Sequence, residues 1–198
     1  MNRNKSTDRR YRRTHEAIIR ATTELSQAEG WEKVSVTKLT ERADLNRNSF
    51  YLHFGSIGDV FDEIEEWFLT KYRDFVRTSP LLDVLVTDPD YYDAFSAFLK
   101  SEEENVAAIT RMGRGEQLVS KIERIWLDYF DRELFSSEKY SKAKDVILPY
   151  ITGCTLIFFT NWVNDPGSFD IQKNTWFNGK FIDHILTLAS NEASAGLF

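Results

Sequence analysis

Apolar residues recur every three or four positions along most of the 198-residue chain, with polar residues between them. This spacing places the apolar side chains on one face of a helix and therefore predicts amphipathic helices. The first such pattern ends at Gly30, a residue type that commonly follows a helix. Its apolar face consists of Ala17, Ile18, Ala21, Leu25 and Ala28. Because strand-like alternation and internal repeats are absent from the sequence, we expect an all-α fold.

Residues 35–54 contain two short helical patterns separated by a tight turn. Ser35 and Asn46 are residue types that cap helix N-termini, and each stands directly before one of the patterns. The inward positions are apolar, namely Val36, Leu39 and Ala43 in the first pattern and Phe50 and Phe54 in the second. The spacing predicts two short helices joined at an angle, a helix-turn-helix.

The second of these helices presents polar side chains outward at its start, namely Arg47, Asn48 and Ser49. In a helix-turn-helix, side chains at this position reach base edges in the major groove of DNA. Arginine and asparagine have the donor geometry to read guanine and adenine there. The pattern therefore predicts a protein that binds double-stranded DNA.

A wider run of residues resembles the DNA-binding domain of the TetR family of transcriptional regulators. The run comprises Ala28-Glu29-Gly30-Trp31, the helix-turn-helix, and Phe50-Tyr51-Leu52-His53-Phe54 followed by Ser56 and Asp59. The resemblance implies an N-terminal three-helix DNA-binding domain and a C-terminal helical domain for ligand binding and dimerisation. We place the boundary between residues 1–55, which include a basic N-terminal arm, and residues 56–198.

The resemblance also implies roles for individual residues. The positions that match Tyr51 and His53 contact phosphates, and those that match Thr37, Arg47, Asn48 and Ser49 face the DNA. Together with the capping and neighbouring basic residues, the expected DNA contacts are Arg12, Arg13, Ser35, Thr37, Lys38, Asn46, Arg47, Asn48, Ser49, Tyr51 and His53.

Three residues depart from the family pattern. Asp44 stands in the turn where the family usually has glycine, and aspartate is one of the few other types that enter the left-handed region at modest cost. Thr40 replaces a usual alanine. Ile57 stands where a lysine most often reaches a phosphate, so we expect that contact to be missing.

The charge distribution agrees with a DNA-binding N-terminus. The chain has a net charge of −6, but residues 1–55 hold 11 Lys or Arg against 7 Asp or Glu, a net +4, and residues 56–198 hold 14 against 24, a net −10. A basic front and an acidic back are expected when one part of a protein meets phosphates. The basic arm contains Arg3, Lys5, Arg9, Arg10, Arg12 and Arg13.

A helix from about Ser56 to Arg77 is expected to link the two domains. Pro80 interrupts the pattern, and Asp88 with Pro89 is typical of the start of another helix. The family resemblance implies an effector pocket behind the linking helix, although aromatic residues at helical spacing are also typical of a hydrophobic core. The expected pocket residues are Trp67, Phe68, Tyr91, Phe95, Phe98, Trp126 and Tyr129.

The last two predicted helices, at about 141–164 and 172–192, are rich in apolar residues on several faces. Such helices must be covered on several faces, and a second copy of a short chain can supply the cover. Members of the TetR family dimerise through their last two long helices. The expected homodimer interface comprises Ile151, Cys154, Thr155, Phe158, Trp162, Phe181, Ile185 and Leu188.

Several kinds of chemistry find no support in the sequence. The three histidines have no second histidine or cysteine at metal-ligand spacing, and no catalytic or phosphate-loop motif is present, so we expect no metal site, no cofactor and no enzyme. The apolar run 147–163 is shorter than the ~20 residues of a membrane span and is interpreted as a buried helix. With a single cysteine and no signal-peptide pattern, a cytoplasmic location is expected.

The sequence therefore favours a TetR-like transcriptional regulator, a homodimeric repressor that binds a palindromic operator and is released by a small-molecule effector. The alternative is a ligand-independent regulator or co-regulator whose pocket is filled. A small helical enzyme and a protein-interaction adaptor are the rivals from other classes, and neither requires a helix-turn-helix with a basic arm.

Overall fold

The computed structural model describes residues 9–78, 89–136 and 138–194. Within these ranges every regular element is a helix, and no strand occurs, which confirms the all-α fold class. The α-helices are α1 (Arg9–Glu29), α2 (Val36–Arg42), α3 (Arg47–Tyr51), α4 (Ile57–Thr78), α5 (Pro89–Ser101), α6 (Glu103–Ile109), α7 (Gly115–Tyr129), α8 (Glu138–Ser141), α9 (Lys144–Asn164) and α10 (Ile171–Ser194). Pro80 and the cap predicted at Asp88 lie outside the described residues.

Helices α1, α2 and α3 pack around a small apolar centre. Ile18, Leu39 and Phe50 contribute fully buried side chains to it, one from each helix. Helix α1 ends before Gly30, whose φ of 89° lies in the left-handed region that glycine enters freely. The predicted apolar face of α1 was wrong at its end, because Ala28 is exposed and the buried stripe finishes at Leu25 and Ser26.

Helix α4 carries the chain from this N-terminal unit into the remainder of the protein. It begins three residues after Phe54 and packs against α1, α6 and α7. Its inward face, from Val60 to Val76, belongs to one hydrophobic core that continues into the C-terminal helices. The predicted boundary at residues 55 and 56 thus coincides with the start of a helix that contributes to both parts.

Two buried carboxylates tie α4 to neighbouring helices. Glu65 on α4 accepts a hydrogen bond from Lys121 Nζ on α7 at 2.5 Å, and Arg114 Nη1 lies 3.7 Å from its other oxygen. Glu102, directly before α6, accepts from Lys71 Nζ on α4 at 2.6 Å. Both carboxylates are at most 4% exposed, and burial of a charge is tolerated only where partners of this kind are present.

Helices α9 and α10 form the C-terminal layer. Helix α9 packs against α7 and α10, and α10 packs against α5. At the second contact Tyr92 lies directly on the backbone of α10, since a Cβ atom added to Gly179 would meet Tyr92 Cε1 at 2.0 Å. Glycine at position 179 therefore permits a close approach that no other residue type allows.

Among the described helices, α9 is one that is long and apolar enough, by length and composition, to cross a membrane. The helix has 21 residues because it extends the apolar run 147–163 at both ends, to Lys144 and Asn164. Trp162, Phe159 and Ile151 on this helix are buried against the neighbouring helices of the same protomer. This burial agrees with the interpretation of α9 as a core helix of a globular domain.

Candidate nucleic-acid interface

Both predicted N-caps of the helix-turn-helix are confirmed. Ser35 has extended backbone angles, and its Oγ accepts a hydrogen bond from Lys38 N at 3.3 Å. Asn46 is also extended, and its Oδ1 accepts from Ser49 N at 2.7 Å. Each cap satisfies a backbone N–H that a helix start would otherwise leave without a partner. The caps therefore define where α2 and α3 begin.

The turn between α2 and α3 uses two of the three residues that depart from the family pattern. Asp44 has a φ of 52°, in the left-handed region that its residue type tolerates. Leu45 N then donates to Thr40 O at 2.8 Å, which closes the turn. The hydroxyl of Thr40 donates to Val36 O at 2.8 Å, so this buried oxygen has a partner inside α2.

The start of α3 is exposed, as the sequence predicted. Arg47 and Asn48 both point into solvent, and Thr37 on α2 is exposed as well. One turn further along α3, Tyr51 remains 48% exposed. Arg47 Nη2 donates to Tyr51 Oη at 3.4 Å, and the guanidinium lies 5.8 Å from the centre of the tyrosine ring. This contact orients two donor groups toward the same side of the domain.

Other residues expected to contact DNA have partners within the chain. Asn46 Oδ1 accepts from both the amide and the hydroxyl of Ser49. Lys38 Nζ is paired with Glu29 on α1, and this hydrogen bond and positive charge lower the pKa of the Glu29 carboxyl. These side chains stabilise the helix-turn-helix itself, and their contacts with DNA stay predictions.

The N-terminus of α1 is strongly basic. Arg12 and Arg13 are exposed, and no acidic residue lies in the first turn. Positive charge is unfavourable at a helix N-terminus because the helix dipole is positive there. Nearby phosphates would offset this repulsion, so the arrangement suits a surface that meets nucleic acid. Arg3 and Lys5 of the predicted arm lie outside the described residues.

His53, two residues beyond Tyr51, belongs to a cluster of rings between α1 and α4. Tyr11 stacks on the His53 ring with the ring centres 4.0 Å apart. His15 Nδ1 lies 3.3 Å from His53 Nδ1, and His15 Nε2 is hydrogen-bonded to the carboxylate of Glu63 on α4. The His15 ring also stacks on the buried Phe54. His53 is half-buried in this cluster rather than fully exposed.

A reciprocal cap begins α4 directly after the cluster. Asp59 N donates to Ser56 Oγ at 3.2 Å, and the Asp59 carboxylate accepts from Ser56 Oγ at 2.7 Å and from Gly55 N at 2.9 Å. The hydrogen bond from Ser56, followed by that from Gly55, lowers the pKa of Asp59. This capping box defines the residue at which the linking helix begins.

The described interior contains a small aromatic cavity between α5, α7, α9 and α10. Its volume is about 30 Å³, the space of about one water molecule. Three of the expected pocket residues, Tyr91, Phe95 and Trp126, line it. Tyr91 Oη and Thr175 Oγ1 are buried at its wall without a hydrogen-bond partner in the described part of the chain. Burial raises the pKa of the Tyr91 hydroxyl, so this group stays neutral and can donate.

The other four expected pocket residues do not line this cavity. Trp67 is half-exposed on the outside of α4, where Lys71 Nζ lies 3.6 Å from its ring centre. Phe68 packs in the core against Tyr72 and Trp162. The predicted pocket position was wrong for these residues because the inward face of α4 is filled by neighbouring side chains. Phe98 packs on Phe75, and Tyr129 packs on Trp126.

Sequence reasoning also missed lining residues that α9 and α10 supply. The cavity wall includes Phe158 and Phe159 from α9 and Thr175 and Ile182 from α10. The continuous apolar character of α9 pointed only to burial and left open which of its residues face the same protomer. The cavity therefore lies deeper in the C-terminal layer than expected.

Half of the expected dimer interface is instead part of the protomer core. Ile151, Thr155, Phe158 and Trp162 are at most 5% exposed, because they face α7 and α10 of the same chain. These four assignments are corrected.

The other expected interface residues remain at least partly exposed. Cys154 and Ile185 are half-buried, whereas Phe181 and Leu188 are 44% and 54% exposed. Further large apolar side chains are exposed on these helices, namely Tyr150, Ile157, Trp176 and Phe177.

Comparison with known proteins connects this architecture to a family. The family model of the tetR family of bacterial regulatory proteins matches residues 18–64, from the middle of α1 into α4. No curated protein matches the chain.

Two solved structures are similar to the chain as a whole. The fatty acid degradation regulator FadR from Bacillus halodurans is 20% identical, with a TM-score of 0.55, over 85% of this chain and 94% of the other. FadR from Thermus thermophilus, a TetR family transcriptional repressor in complex with lauroyl-CoA, is 15% identical, with a TM-score of 0.43, over 85% and 92%. At this identity the Bacillus structure demonstrates a shared fold. The family match covers the helix-turn-helix, so this part of the chain is similar to the DNA-binding domain of the tetR family of bacterial regulatory proteins.

Proposed function

We propose that the chain is a homodimeric transcriptional repressor that binds a palindromic DNA operator through α3. The observation that carries this proposal is the exposed start of α3, where Arg47 and Asn48 project from a helix whose N-terminus is capped by Asn46. Two donor side chains at the N-terminus of a recognition helix are suited to read base edges in the major groove. We retain the division into residues 1–55 for DNA binding and 56–198 for regulation and dimerisation.

We assign the surrounding residues to positioning the domain on the phosphate backbone. Tyr51 projects beside Arg47, and Arg12 and Arg13 supply exposed positive charge at the start of α1. Contacts of this kind fix register and orientation but carry no sequence information. Thr37 on α2 is exposed, and His53 is placed next to α3 by Tyr11 and His15.

We propose that the dimer forms through the outer faces of α9 and α10. Tyr150, Ile157 and Phe177 are 62–65% exposed, and Phe181 borders the groove between the two helices. An apolar surface of this extent on a soluble protein is typical of an interaction site. Gly153 on the same side of α9 has open space above its backbone, which would allow a partner helix to approach closely. A twofold pairing would form a four-helix interface.

The aromatic cavity is the proposed effector site, with its wall opening around a ligand larger than a water molecule. Support comes from the two buried hydroxyls, Tyr91 Oη and Thr175 Oγ1, which have no partner among the described residues and suit a ligand with a polar group. The volume of about 30 Å³ favours the second candidate, a ligand-independent regulator with a filled interior. A thermal-shift screen of small apolar molecules discriminates between the two candidates, because only the first gains stability from a ligand.

The function is tested by selecting the DNA fragments that the protein binds from its source genome and by measuring transcription from those sites. Recovery of a palindromic motif, with lower transcription when the protein is present, supports a repressor. Higher transcription would make the protein an activator, and recovery of random fragments would contradict operator binding. A cytoplasmic location and the absence of enzymatic activity follow from the proposed role.

A further inference from the structure

Three ionisable groups form a continuous chain from α4 to the end of the recognition helix. The Glu63 carboxylate on α4 is hydrogen-bonded to His15 Nε2 on α1, and His15 Nδ1 lies 3.3 Å from His53 Nδ1. Because an ionised carboxylate only accepts hydrogen bonds, His15 Nε2 carries a proton in this arrangement. Glu63 therefore determines the tautomer of His15, as carboxylates do for metal-binding and catalytic histidines.

The contact between the two rings limits the number of protons that the pair can hold. A bond between two Nδ1 atoms needs a single proton between them. When His15 is neutral, its Nδ1 is bare and accepts from His53 Nδ1–H. When His15 is charged, its Nδ1–H donates to a bare His53 Nδ1. If both rings were charged, two N–H groups would face each other and the contact would break.

We propose that Glu63 and His15 are positioning residues that orient His53 and stabilise one positive charge on the histidine pair, so that DNA affinity depends on pH. The proposal rests on the proposed function, in which His53 contacts a DNA phosphate. Affinity therefore rises with acidity as the pair gains its first proton. Tyr11 also lies against His53, and its ring stacks on the imidazole from α1.

The position of Glu63 also connects the two histidines to the linking helix. Glu63 belongs to the linking helix, six residues from its start, whereas His53 belongs to the DNA-binding surface. A displacement of α4 would move the carboxylate relative to His15 and alter the charge that His53 presents. Through Glu63, His15 and His53, a movement of the regulatory part would change the strength of the phosphate contact.

The variant Glu63→Gln separates charge from shape. The amide oxygen of glutamine can still accept from His15 Nε2–H, but it lacks the negative charge that stabilises an imidazolium. The matched control is Glu66→Gln, which removes the same charge from an exposed position one turn along α4. His53→Gln removes the titrating ring itself.

Binding to a fluorescently labelled duplex of mixed sequence tests the proposal, because phosphate contacts do not depend on sequence. We expect the wild-type affinity for DNA to rise about tenfold as the pH is lowered from about 8 to about 6, across the range where histidine titrates. Glu63→Gln should move the midpoint to lower pH and weaken binding several-fold near neutrality, whereas Glu66→Gln keeps the wild-type midpoint. His53→Gln should remove the pH step and reduce the slope of log affinity against log salt by about 0.9 per protomer.

A measurement on the free protein separates this proposal from the proposed function. Long-range ¹H–¹⁵N spectra report which ring nitrogens are protonated, and coupled rings titrate in two linked steps. Such coupling in wild type, replaced by a single His53 step in His15→Phe, supports the relay even if no DNA binds. A protein that binds DNA but has the same pH midpoint in wild type and Glu63→Gln, or whose two histidines titrate independently, overturns it.

Discussion

The proposed dimer face gives a sharp prediction at Ile157, on the outer side of α9. This side chain keeps 64% of its surface exposed in the protomer, whereas the adjacent Phe158 is buried in the core. Replacing Ile157 by aspartate should therefore leave the protomer folded and act mainly on association. A charge at Phe158 would instead unfold the chain and could not locate the interface.

The magnitude follows from the exposed fraction. Full burial of an isoleucine side chain contributes about 1.5–3 kcal/mol, and about two-thirds of this remains available to a partner at Ile157. Loss of about 1–2 kcal/mol from each of two symmetric copies weakens the dimer by about 2–4 kcal/mol, or about 30- to 700-fold in Kd. An unpaired carboxylate buried at the interface adds several kcal/mol to this loss.

Sedimentation velocity over a range of protein concentrations measures the effect, with circular dichroism as the check on folding. We expect folded Ile157→Asp monomers at concentrations where the wild type is dimeric. The control is Leu52→Asp, since Leu52 is similarly exposed, at 65%, but lies beside α3. A folded Ile157→Asp dimer with wild-type affinity would refute the placement of the interface on this face.

Three further predictions concern DNA reading and packing. Arg47→Ala and Asn48→Ala should each weaken operator binding by about 1–3 kcal/mol and weaken binding to a scrambled duplex less. Gel-shift titrations of both duplexes measure the difference. Equal losses on the two duplexes would mean that Arg47 and Asn48 do not read bases. Tyr51→Phe should weaken binding to all duplexes alike through loss of a phosphate contact, so a loss confined to one sequence would contradict that role. Gly179→Ala would place a Cβ 2.0 Å from Tyr92 Cε1, and thermal melting should reveal a loss of about 1–3 kcal/mol, whereas an unchanged Tm would argue against the close approach.

The helix-turn-helix could be predicted from the sequence because its determinants are local. Ser35 and Asn46 cap backbone groups three residues away, and the left-handed Asp44 closes a turn within five residues of Thr40. Such interactions depend little on the remainder of the fold. The helix starts and the exposed start of α3 therefore followed from residue order alone.

The pocket and the dimer face could not be predicted in the same way because they depend on how helices pack. Ile151 and Ile157 are the same residue type on one helix, yet the first is fully buried in the protomer and the second is 64% exposed. A helix that is apolar on most sides contains no periodic signal that separates a core face from a partner face. The expected position of Trp67 was wrong for a related reason. Lys71 packs over the exposed Trp67 ring and reduces the free-energy cost of leaving that ring in contact with solvent.

The buried carboxylates of Glu65 and Glu102 restrict which motions can pass along α4. Separating Glu102 from Lys71, or Glu65 from both Lys121 and Arg114, would leave an unpaired charge in the interior, at a cost of about 3 kcal/mol or more. The coupling between two sites in a regulatory protein is typically about 1–3 kcal/mol, too little to break both contacts. Helix α4 would therefore move together with α6 and α7 as a single lever, and its pivot would lie at the capped junction around Asp59, where hydrogen bonds are exposed and few.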